Sequence, residues 1–265
     1  MDLMLDGKTA LVTGSTAGIG LAIARRLAAE GANVVLTGRS REKLDAAAAE
    51  IGRSARPGVA IRGVAADAGT AKGCAAIADA EPDVDILVNN LGVYESKPFA
   101  EIADADWLRI FEINVLSGVR LSRAYFPKML ERGDGRVIFI SSESSLMIPT
   151  EMIHYGMTKT AQLAIARGLA GMTTGTRVTV NTILPGPTRS DGVIDFIRSV
   201  AHDPHAPPAA LESEFFERMR PTSLLRRMIE ADEIAALAAF VASPLAAATN
   251  GAALRAEGGL VPTAA

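Results

Sequence analysis

The stretch Thr13-Gly14-Ser15-Thr16-Ala17-Gly18-Ile19-Gly20 decides the fold, because it joins an apolar run at Thr9–Thr13 to a segment of helical period at Leu21–Glu30. Glycines in a strand-to-helix turn let the backbone amides and the positive end of the helix approach a pyrophosphate. A turn that only needs flexible residues would look similar, but the flanking strand and helix favour dinucleotide binding. The predicted cofactor contacts in this loop are Gly14, Ser15, Thr16, Gly18, Ile19 and Gly20.

Short β-branched runs alternate with longer alanine-rich segments of helical period along the whole chain. This alternation is typical of β-α units that build a parallel sheet. We therefore predict an α/β fold with a Rossmann-like, doubly wound, mostly parallel sheet of seven strands and helices on both faces. The predicted strands are Thr9–Thr13, Asn33–Thr37, Val59–Ala65, Val84–Asn89, Val137–Ser141, Val178–Ile183 and Ala252–Ala256.

A length of 265 residues is compatible with one domain, 1–265, built on one extended sheet. The segment 185–225 differs from the rest because six prolines break up any long element. We expect it to be a lid-like insertion near the substrate. Within it, apolar residues recur at roughly helical intervals and would either close over a substrate or pack as ordinary core.

Composition and charge exclude several classes of function. The 27 basic and 30 acidic residues give a net charge of −3, which offers no electrostatic attraction to nucleic acid or to an anionic membrane. The single cysteine, Cys74, fits a reducing compartment and is expected to be a packing residue. The start of the chain carries acids where an export signal has basic residues, and the apolar run Ile234–Ala242 is too short to span a bilayer. We expect a cytoplasmic protein.

Three further motifs stand just after predicted strands or open a predicted helix. They are Asn89-Asn90-Leu91-Gly92, Tyr155-Gly156-Met157-Thr158-Lys159 and Pro185-Gly186-Pro187-Thr188. Together with the glycine loop, and in this order and spacing, they resemble the short-chain dehydrogenase/reductase family over nearly the whole chain. Leu91 departs from the family's usual alanine, and Glu257 stands where the family often has aspartate.

The resemblance implies a catalytic set of Asn114, Ser142, Tyr155 and Lys159. Tyr155 would act as the acid/base, Ser142 would orient the substrate oxygen, and Asn114 would hold a water in a proton relay to Lys159, besides relieving helix strain. Tyr155 and Lys159 are four residues apart, so on one helix their side chains share a face, and an ammonium there is expected to lower the pKa of the phenol. The three scattered histidines suggest no metal site and no hydrolase triad.

The end of the second predicted strand bears on the choice of nicotinamide cofactor. An acid that pairs with the ribose hydroxyls is usual for NAD, but Gly38 occupies that place, and Arg39 beside it can pair with a 2′-phosphate. We predict NADP as the cofactor, with NAD as the less favoured alternative. The alternative role of Arg39 is that of an ordinary solvated charge at the start of the next helix. Asp67 would contact adenine or cap the following helix. The remaining predicted cofactor contacts are Arg39, Asp67, Ala68, Asn90, Gly92, Tyr155, Lys159, Pro185, Gly186 and Thr188.

The resemblance implies hydride transfer between nicotinamide and a small-molecule carbonyl or secondary alcohol. Two alternatives stay open: a 3-oxoacyl thioester reductase, and a sensing protein that binds NADP(H) without turnover. The predicted helix Met152–Thr173 is apolar around much of its circumference, so one side can face the sheet while the other meets a second subunit. We therefore expect a homodimer or homotetramer, as is common in the family.

Overall fold

The computed structural model describes residues 1–264, and its centre is one sheet of seven strands in the order β3-β2-β1-β4-β5-β6-β7. Every pair of neighbouring strands is parallel. The predicted fold class and all seven predicted strands are confirmed, with shifts of a few residues at the ends. The strands are β1 Thr9–Val12, β2 Asn33–Gly38, β3 Ile61–Ala65, β4 Ile86–Asn89, β5 Asp134–Ile140, β6 Arg177–Pro185 and β7 Ala253–Ala256.

Nine α-helices lie within the described residues and connect or follow the strands. They are α1 Gly18–Ala29, α2 Arg41–Gly52, α3 Ala71–Ala80, α4 Asp104–Phe111, α5 Ser117–Arg132, α6 Ile153–Ala170, α7 Asp191–Val200, α8 Pro208–Arg218 and α9 Ala231–Ala242. A π-helical segment, Glu112–Leu116, joins α4 to α5. None of these helices has the length and apolar character needed to cross a membrane.

Two apolar clusters cover the two faces of the sheet, because successive side chains of a strand point to opposite faces. In β1, Ala10 and Val12 pack with α1, α2 and α9, whereas Leu11 packs with α3, α5 and α6. Cys74 is a free, buried member of the second cluster, in agreement with its predicted packing role. With so few aromatic side chains, small and branched aliphatic residues fill both interfaces.

The strand order places the predicted site at a topological switch point. The chain runs outward from β1 to β2 and β3, then returns to β4 on the other side of β1. In such sheets the crevice outside the carboxyl ends of the two central strands is the usual ligand site. The glycine loop follows β1 and Asn90 follows β4, so both lie at this crevice.

The proline-rich segment forms two short helices, α7 and α8, rather than an irregular loop. Ser190 caps α7 by accepting from the Val193 amide at 3.3 Å, and Pro208 stands in the first turn of α8, where its missing N–H costs nothing. A small third apolar cluster holds the helices together. It comprises Ile197, Leu211, Phe215, Phe216 and Met228.

Candidate active site

The glycine loop is held in one conformation by bonds to its neighbours. Gly14 and Gly18 adopt φ of +62° and +55°, a region that favours glycine. Ser15 is fully buried, and its Oγ accepts from the Thr37 amide at 3.0 Å, so it fixes the loop to β2. Ala17 offers no side-chain cap, which leaves the first amides of α1 available to an anionic ligand.

Asn90 braces the loop from the side of β4. Its Nδ2 donates to the carbonyl oxygens of Thr13 at 2.8 Å and Gly14 at 3.2 Å. A Cβ on Gly20 would lie 2.5 Å from both Asn90 Nδ2 and Gly14 O, so only glycine permits this approach. The predicted cofactor contact Asn90 therefore has a positioning role toward the loop, and it also lines the cleft.

One cleft collects most of the predicted site. It contains the glycine loop, the catalytic candidates and side chains from α7 and α8. It also contains the segment 185–188 at the end of β6, which we call the β6 loop. The predicted residues that line it are Gly14, Gly18, Ile19, Gly20, Asn90, Gly92, Ser142, Tyr155, Pro185, Gly186 and Thr188. The predicted residues outside this lining are Ser15, Thr16, Arg39, Asp67, Ala68, Asn114 and Lys159.

The residues assigned to the adenosine side lie beyond that cleft. Arg39 is exposed, and no residue of 1–264 pairs with it. Asp67 is also exposed, and its Oδ1 accepts from the Gly69 amide at 2.9 Å. The expected capping role of Asp67 is wrong, because Thr70 caps α3 by accepting from the Gly73 amide at 3.0 Å.

Ser142 and Tyr155 meet in the cleft, as their spacing predicts. Ser142 follows β5, and its Oγ accepts from the Ser144 amide at 3.1 Å and donates to the Glu143 carboxylate. Tyr155 lies in the first turn of α6 and lines the same cleft as Ser142. A substrate oxygen in this cleft can therefore approach both side chains.

Lys159 lies behind Tyr155, one turn further along α6. Its Nζ is 5.6 Å from the centre of the Tyr155 ring and donates to the Ile140 carbonyl at 3.0 Å. Burial lowers the pKa of Lys159 to about 8, against the opposing effect of the Glu143 charge. This group is therefore close to exchanging a proton at neutral pH.

The pKa of Tyr155 moves in the direction opposite to the one expected from the sequence. Burial raises it most, the charge of Glu143 raises it further, and the bond with Ser142 and the charge of Arg220 only partly oppose them. The ammonium of Lys159 is engaged with a carbonyl instead of the phenol oxygen, so it does not offset the desolvation. The phenol is thus held protonated, ready to donate.

Asn114 lies in the π-helical segment and is almost fully buried. Its side chain pairs with the backbone of Val93, with Oδ1 accepting at 2.7 Å and Nδ2 donating at 2.8 Å. The backbone carbonyl of Asn114 accepts from Gln162 Nε2 at 2.6 Å. A Cβ on Gly92 would lie 3.3 Å from Lys159 Nζ and 3.6 Å from Asn114 Oδ1, so Asn114 and Lys159 flank the same glycine.

The β6 loop forms another part of the cleft wall. Thr188 Oγ1 donates to the Gly186 carbonyl at 2.9 Å. A Cβ on Gly186 would lie 2.8 Å from the Glu257 carbonyl oxygen, so the loop packs tightly on the chain after β7. The Glu257 carboxylate in turn accepts from the amides of Leu260 and Val261, so the longer side chain at this position acts as a brace.

The two charged residues of the cleft, Glu143 and Arg220, and the phenol Tyr94 are absent from the sequence-based prediction. Glu143 adjoins Ser142, but its neighbours resemble an ordinary turn. Arg220 reaches the site from 77 positions away along the chain, which no local pattern can reveal. Within residues 1–264 no cluster of three or more His, Cys, Asp or Glu side chains could hold a metal ion.

Comparison with known proteins gives one consistent family. The model described as short chain dehydrogenase matches residues 8–199. The uncharacterized oxidoreductase YvaG of Bacillus subtilis (strain 168) is 49% identical over 261 residues, which cover 98% of each chain. Galactitol 2-dehydrogenase (L-tagatose-forming) of Cereibacter sphaeroides is 35% identical over 259 residues, 96% of this chain and 95% of the relative.

A solved structure agrees in fold over the whole length. L-sorbose reductase from Gluconobacter frateurii, complexed with NADPH and L-sorbose, superposes with a TM-score of 0.92 at 30% identity. The match covers 99% of this chain and 100% of that one. Sequence motifs, sheet order, family model and relatives therefore lead to one conclusion: the chain is an oxidoreductase that belongs to the short-chain dehydrogenase/reductase family.

Proposed function

We propose that the protein is an NADP(H)-dependent oxidoreductase that interconverts a carbonyl compound and a secondary alcohol, with Tyr155 as the acid/base. The observation that carries this proposal is that Ser142 and Tyr155 line the same cleft as the glycine loop. A dinucleotide on that loop and a substrate oxygen between the two hydroxyls would occupy one continuous space. This is the arrangement that a direct transfer between cofactor and substrate needs.

The residues of the cleft fit a dinucleotide. The close packing of Gly20 on Asn90 and Gly14 fixes the shape of the glycine loop, and the uncapped start of α1 suits a pyrophosphate. The β6 loop, with Pro185, Gly186 and Thr188, would hold the carboxamide end. A bound nicotinamide supplies or accepts the hydride at the substrate carbon.

Three features support NADP over NAD. Gly38 ends β2 without a carboxylate, and Arg39 beside it is exposed and has no partner in the described chain. A guanidinium in that state can form two parallel bonds to a 2′-phosphate. The similar L-sorbose reductase was solved with NADPH.

The chain's own groups handle the proton. In reduction, Tyr155 Oη donates its proton to the substrate oxygen as the carbon–oxygen π pair moves onto that oxygen and the incoming hydride forms the new C–H bond, so the product is a neutral alcohol. Ser142 donates a second hydrogen bond to that oxygen. Lys159, with its pKa near 8, can then return a proton toward Tyr155, and Asn114 beside Gly92 would hold the water that links Lys159 to solvent.

The test separates an enzyme from a sensing protein. Tyr155→Phe removes only the hydroxyl, so NADPH should still bind while turnover falls by a factor on the order of 10² or more. Lys159→Ala should lower both turnover and cofactor affinity, because it also removes a ribose contact. NADPH absorbance with a panel of ketones and alcohols measures turnover, and titration calorimetry measures binding.

The sensor alternative makes a different forecast for the same variants. It is favoured if the unmodified protein binds NADPH, reduces no compound of a broad panel, and shows no measurable change on Tyr155→Phe. A 3-oxoacyl thioester reductase would instead reduce thioesters in preference to free ketones. The complete set of Ser142, Tyr155 and Lys159 favours turnover, since a protein that only senses the cofactor has no need of the first two.

A further inference from the structure

Glu143 places a carboxylate in the wall of the cleft, directly beside Ser142. Its side chain is only 6% exposed. A buried charge costs free energy unless it is well paired, so its position in the substrate cleft calls for a partner. Neither the hydride transfer nor the proton path described above uses this group.

The pairing of Glu143 within the chain is incomplete. Arg220 Nε lies 3.5 Å from Glu143 Oε1, a long contact, while Arg220 Nη1 donates to the Met219 carbonyl at 2.8 Å and lies 3.2 Å from Glu151. One guanidinium thus serves two carboxylates, and neither receives a two-pronged bond from it. A carboxylate offers about four acceptor sites, and among residues 1–264 the only short bond from a side chain to Glu143 comes from Ser142.

That single bond has a consequence for catalysis. Ser142 carries one hydroxyl hydrogen, and in this structure it is donated to Glu143. To steady a substrate carbonyl, the same hydrogen must turn to the substrate oxygen. A substrate that supplies its own donor to Glu143 would replace Ser142 there and release the hydrogen for the carbonyl.

We propose that Glu143 accepts a hydrogen bond from a substrate hydroxyl next to the reacting carbon, so that the substrates are hydroxylated ketones of the sugar type and the corresponding vicinal diols. The inference rests on the proposed function and names its substrate class. It follows from the carboxylate's free acceptor sites in the cleft and its contact with the catalytic serine.

The same geometry disfavours other carbonyl compounds. A 3-oxoacyl thioester has no hydroxyl on the carbons beside its reacting carbonyl, and its second carbonyl, one methylene away, is an acceptor that cannot pair with a carboxylate. A substrate carboxylate would place a second negative charge directly beside Glu143. A site built for a hydroxyl leaves its own polar group unpaired when that hydroxyl is missing, which is how such sites reject close analogues.

Arg220 is the positioning residue for this carboxylate. It follows α8, its guanidinium lies over the Phe215 ring at 5.6 Å from the centroid, and its side chain is 8% exposed. Because the arginine comes from the segment that holds α7 and α8, the orientation of Glu143 depends on how this segment is seated. Recognition of the hydroxyl is thereby linked to the elements that border the substrate.

The experiment compares three ketones of similar size under NADPH. Hydroxyacetone has the donor, methoxyacetone keeps the electron-withdrawing oxygen without the donor, and butan-2-one has neither. We expect kcat/KM for hydroxyacetone to exceed that for methoxyacetone by about 10- to 100-fold, the range for a hydrogen bond to a charged group. In Glu143→Gln, the kcat/KM values for hydroxyacetone and methoxyacetone should differ by no more than about threefold. In Arg220→Met, their ratio should lie between that of Glu143→Gln and that of the unmodified protein.

Glu217→Gln on α8 is the matched control, because Glu217 is exposed and lies outside the cleft. It should keep the ratio of the unmodified protein. NADPH affinity and the midpoint of thermal unfolding check that each variant is folded. Should Glu143→Gln misfold, the Arg220→Met variant and the ratio in the unmodified protein still decide the question.

Two outcomes overturn the inference. The first is equal kcat/KM values for hydroxyacetone and methoxyacetone, and the second is a loss of kcat/KM in Glu143→Gln that is the same for all three ketones. Either outcome would give Glu143 a structural role only, while carbonyl reduction itself would stand. If no ketone of the set and no sugar ketone is reduced with NADPH or NADH, the proposed function fails and the substrate class fails with it.

Discussion

Gly38 and Arg39 carry the proposed preference for NADP at the level of single residues. A Cβ on Gly38 would lie 2.7 Å from Thr16 Cγ2, so a side chain at this position would press on the glycine loop. Arg39 projects to solvent beside it without a partner in residues 1–264. The end of β2 thus lacks an acceptor for ribose hydroxyls and offers a free cation.

Arg39→Ala should reduce the difference in binding affinity between NADPH and NADH. We expect NADPH affinity to fall by about 10- to 100-fold, since bonds to charged groups contribute about 1.5–3 kcal/mol, while NADH affinity changes little. Arg41→Ala is the control, because Arg41 already donates to the Gly63 carbonyl at 2.9 Å. Calorimetric titration of both cofactors measures the effect, and equal affinities in the unmodified protein would refute the preference.

His154 precedes Tyr155 and should make stability depend on pH. It is fully buried against the Trp107 ring, with ring centroids 5.8 Å apart, and neither ring nitrogen has a hydrogen-bond partner within residues 1–264. Burial lowers the pKa of His154; the charges of Glu95 and Asp106 oppose this, and those of Arg109 and Lys97 add to it. As pH falls below about 6.5, the unfolded chain therefore takes up a proton before the folded one.

The free energy of unfolding should accordingly decrease between pH 7.5 and 5.5, with a contribution from this group of at most about 1.4 kcal/mol per pH unit. His154→Leu removes the titrating group and should flatten this part of the profile. His205→Ala, at an exposed site, should leave it unchanged. Urea unfolding at each pH gives the values, and a profile with the same slope in His154→Leu would contradict the assignment.

Single residues also show where sequence reasoning stops. The catalytic spacing of Ser142 and Tyr155 is a property of one strand end and one helix, so motifs locate it. Glu143 and Arg220 act together only because a distant segment folds back on the turn after β5. The direction of the Tyr155 pKa depends on that same three-dimensional packing, and a motif cannot convey the cost of burial.

At the level of elements, apolar periodicity finds the strands but not their polar ends. β5 begins at Asp134, three residues before its apolar run, because Arg136 is buried with its Nη1 donating to the carbonyls of Gly135 and Arg177. Similarly, α1 begins at Gly18, although glycine is a weak helix former. Backbone bonding to neighbours decides these ends, and hydropathy does not report it.

Helices α7 and α8 border the cleft and also pack together as a small apolar core. Val193, Phe196 and Phe215 line the cleft, and Phe215 also packs with Ile197 and Leu211 in the third cluster. The pair is a small packed unit attached at the mouth of the site. We propose that it acts as a lid that becomes better ordered when ligands bind.

Limited trypsin digestion tests this lid. Arg198, half exposed at the end of α7, should be cut more slowly by at least several-fold when NADPH and a substrate are present. Cleavage after Arg53, exposed at the end of α2, serves as the internal control and should not change. Mass spectrometry of the fragments separates the sites. Equal protection of both, or of neither, would argue against a mobile lid.

The whole molecule leaves an apolar surface beside its active site. On α6, Ala164 and Gly168 are exposed, and Met172 just after the helix is 61% exposed. Leu108, on the neighbouring α4, is 71% exposed. The opposite side of α6 packs on the sheet through Ala166 and Ala170. Small residues allow close approach of a second backbone, so this surface suits a copy of the same helix.

We expect a closed dimer or tetramer built on this surface, with a mass of two or four times 27.7 kDa in light scattering. Ala164→Arg should shift the mass downward, because a buried unpaired charge at such an interface costs several kcal/mol. Ala49→Arg, at an exposed site on α2, should leave the mass unchanged. A strictly monomeric mass for the unmodified protein at micromolar concentration would exclude the assembly, and α6 would then owe its apolar circumference to the monomer alone.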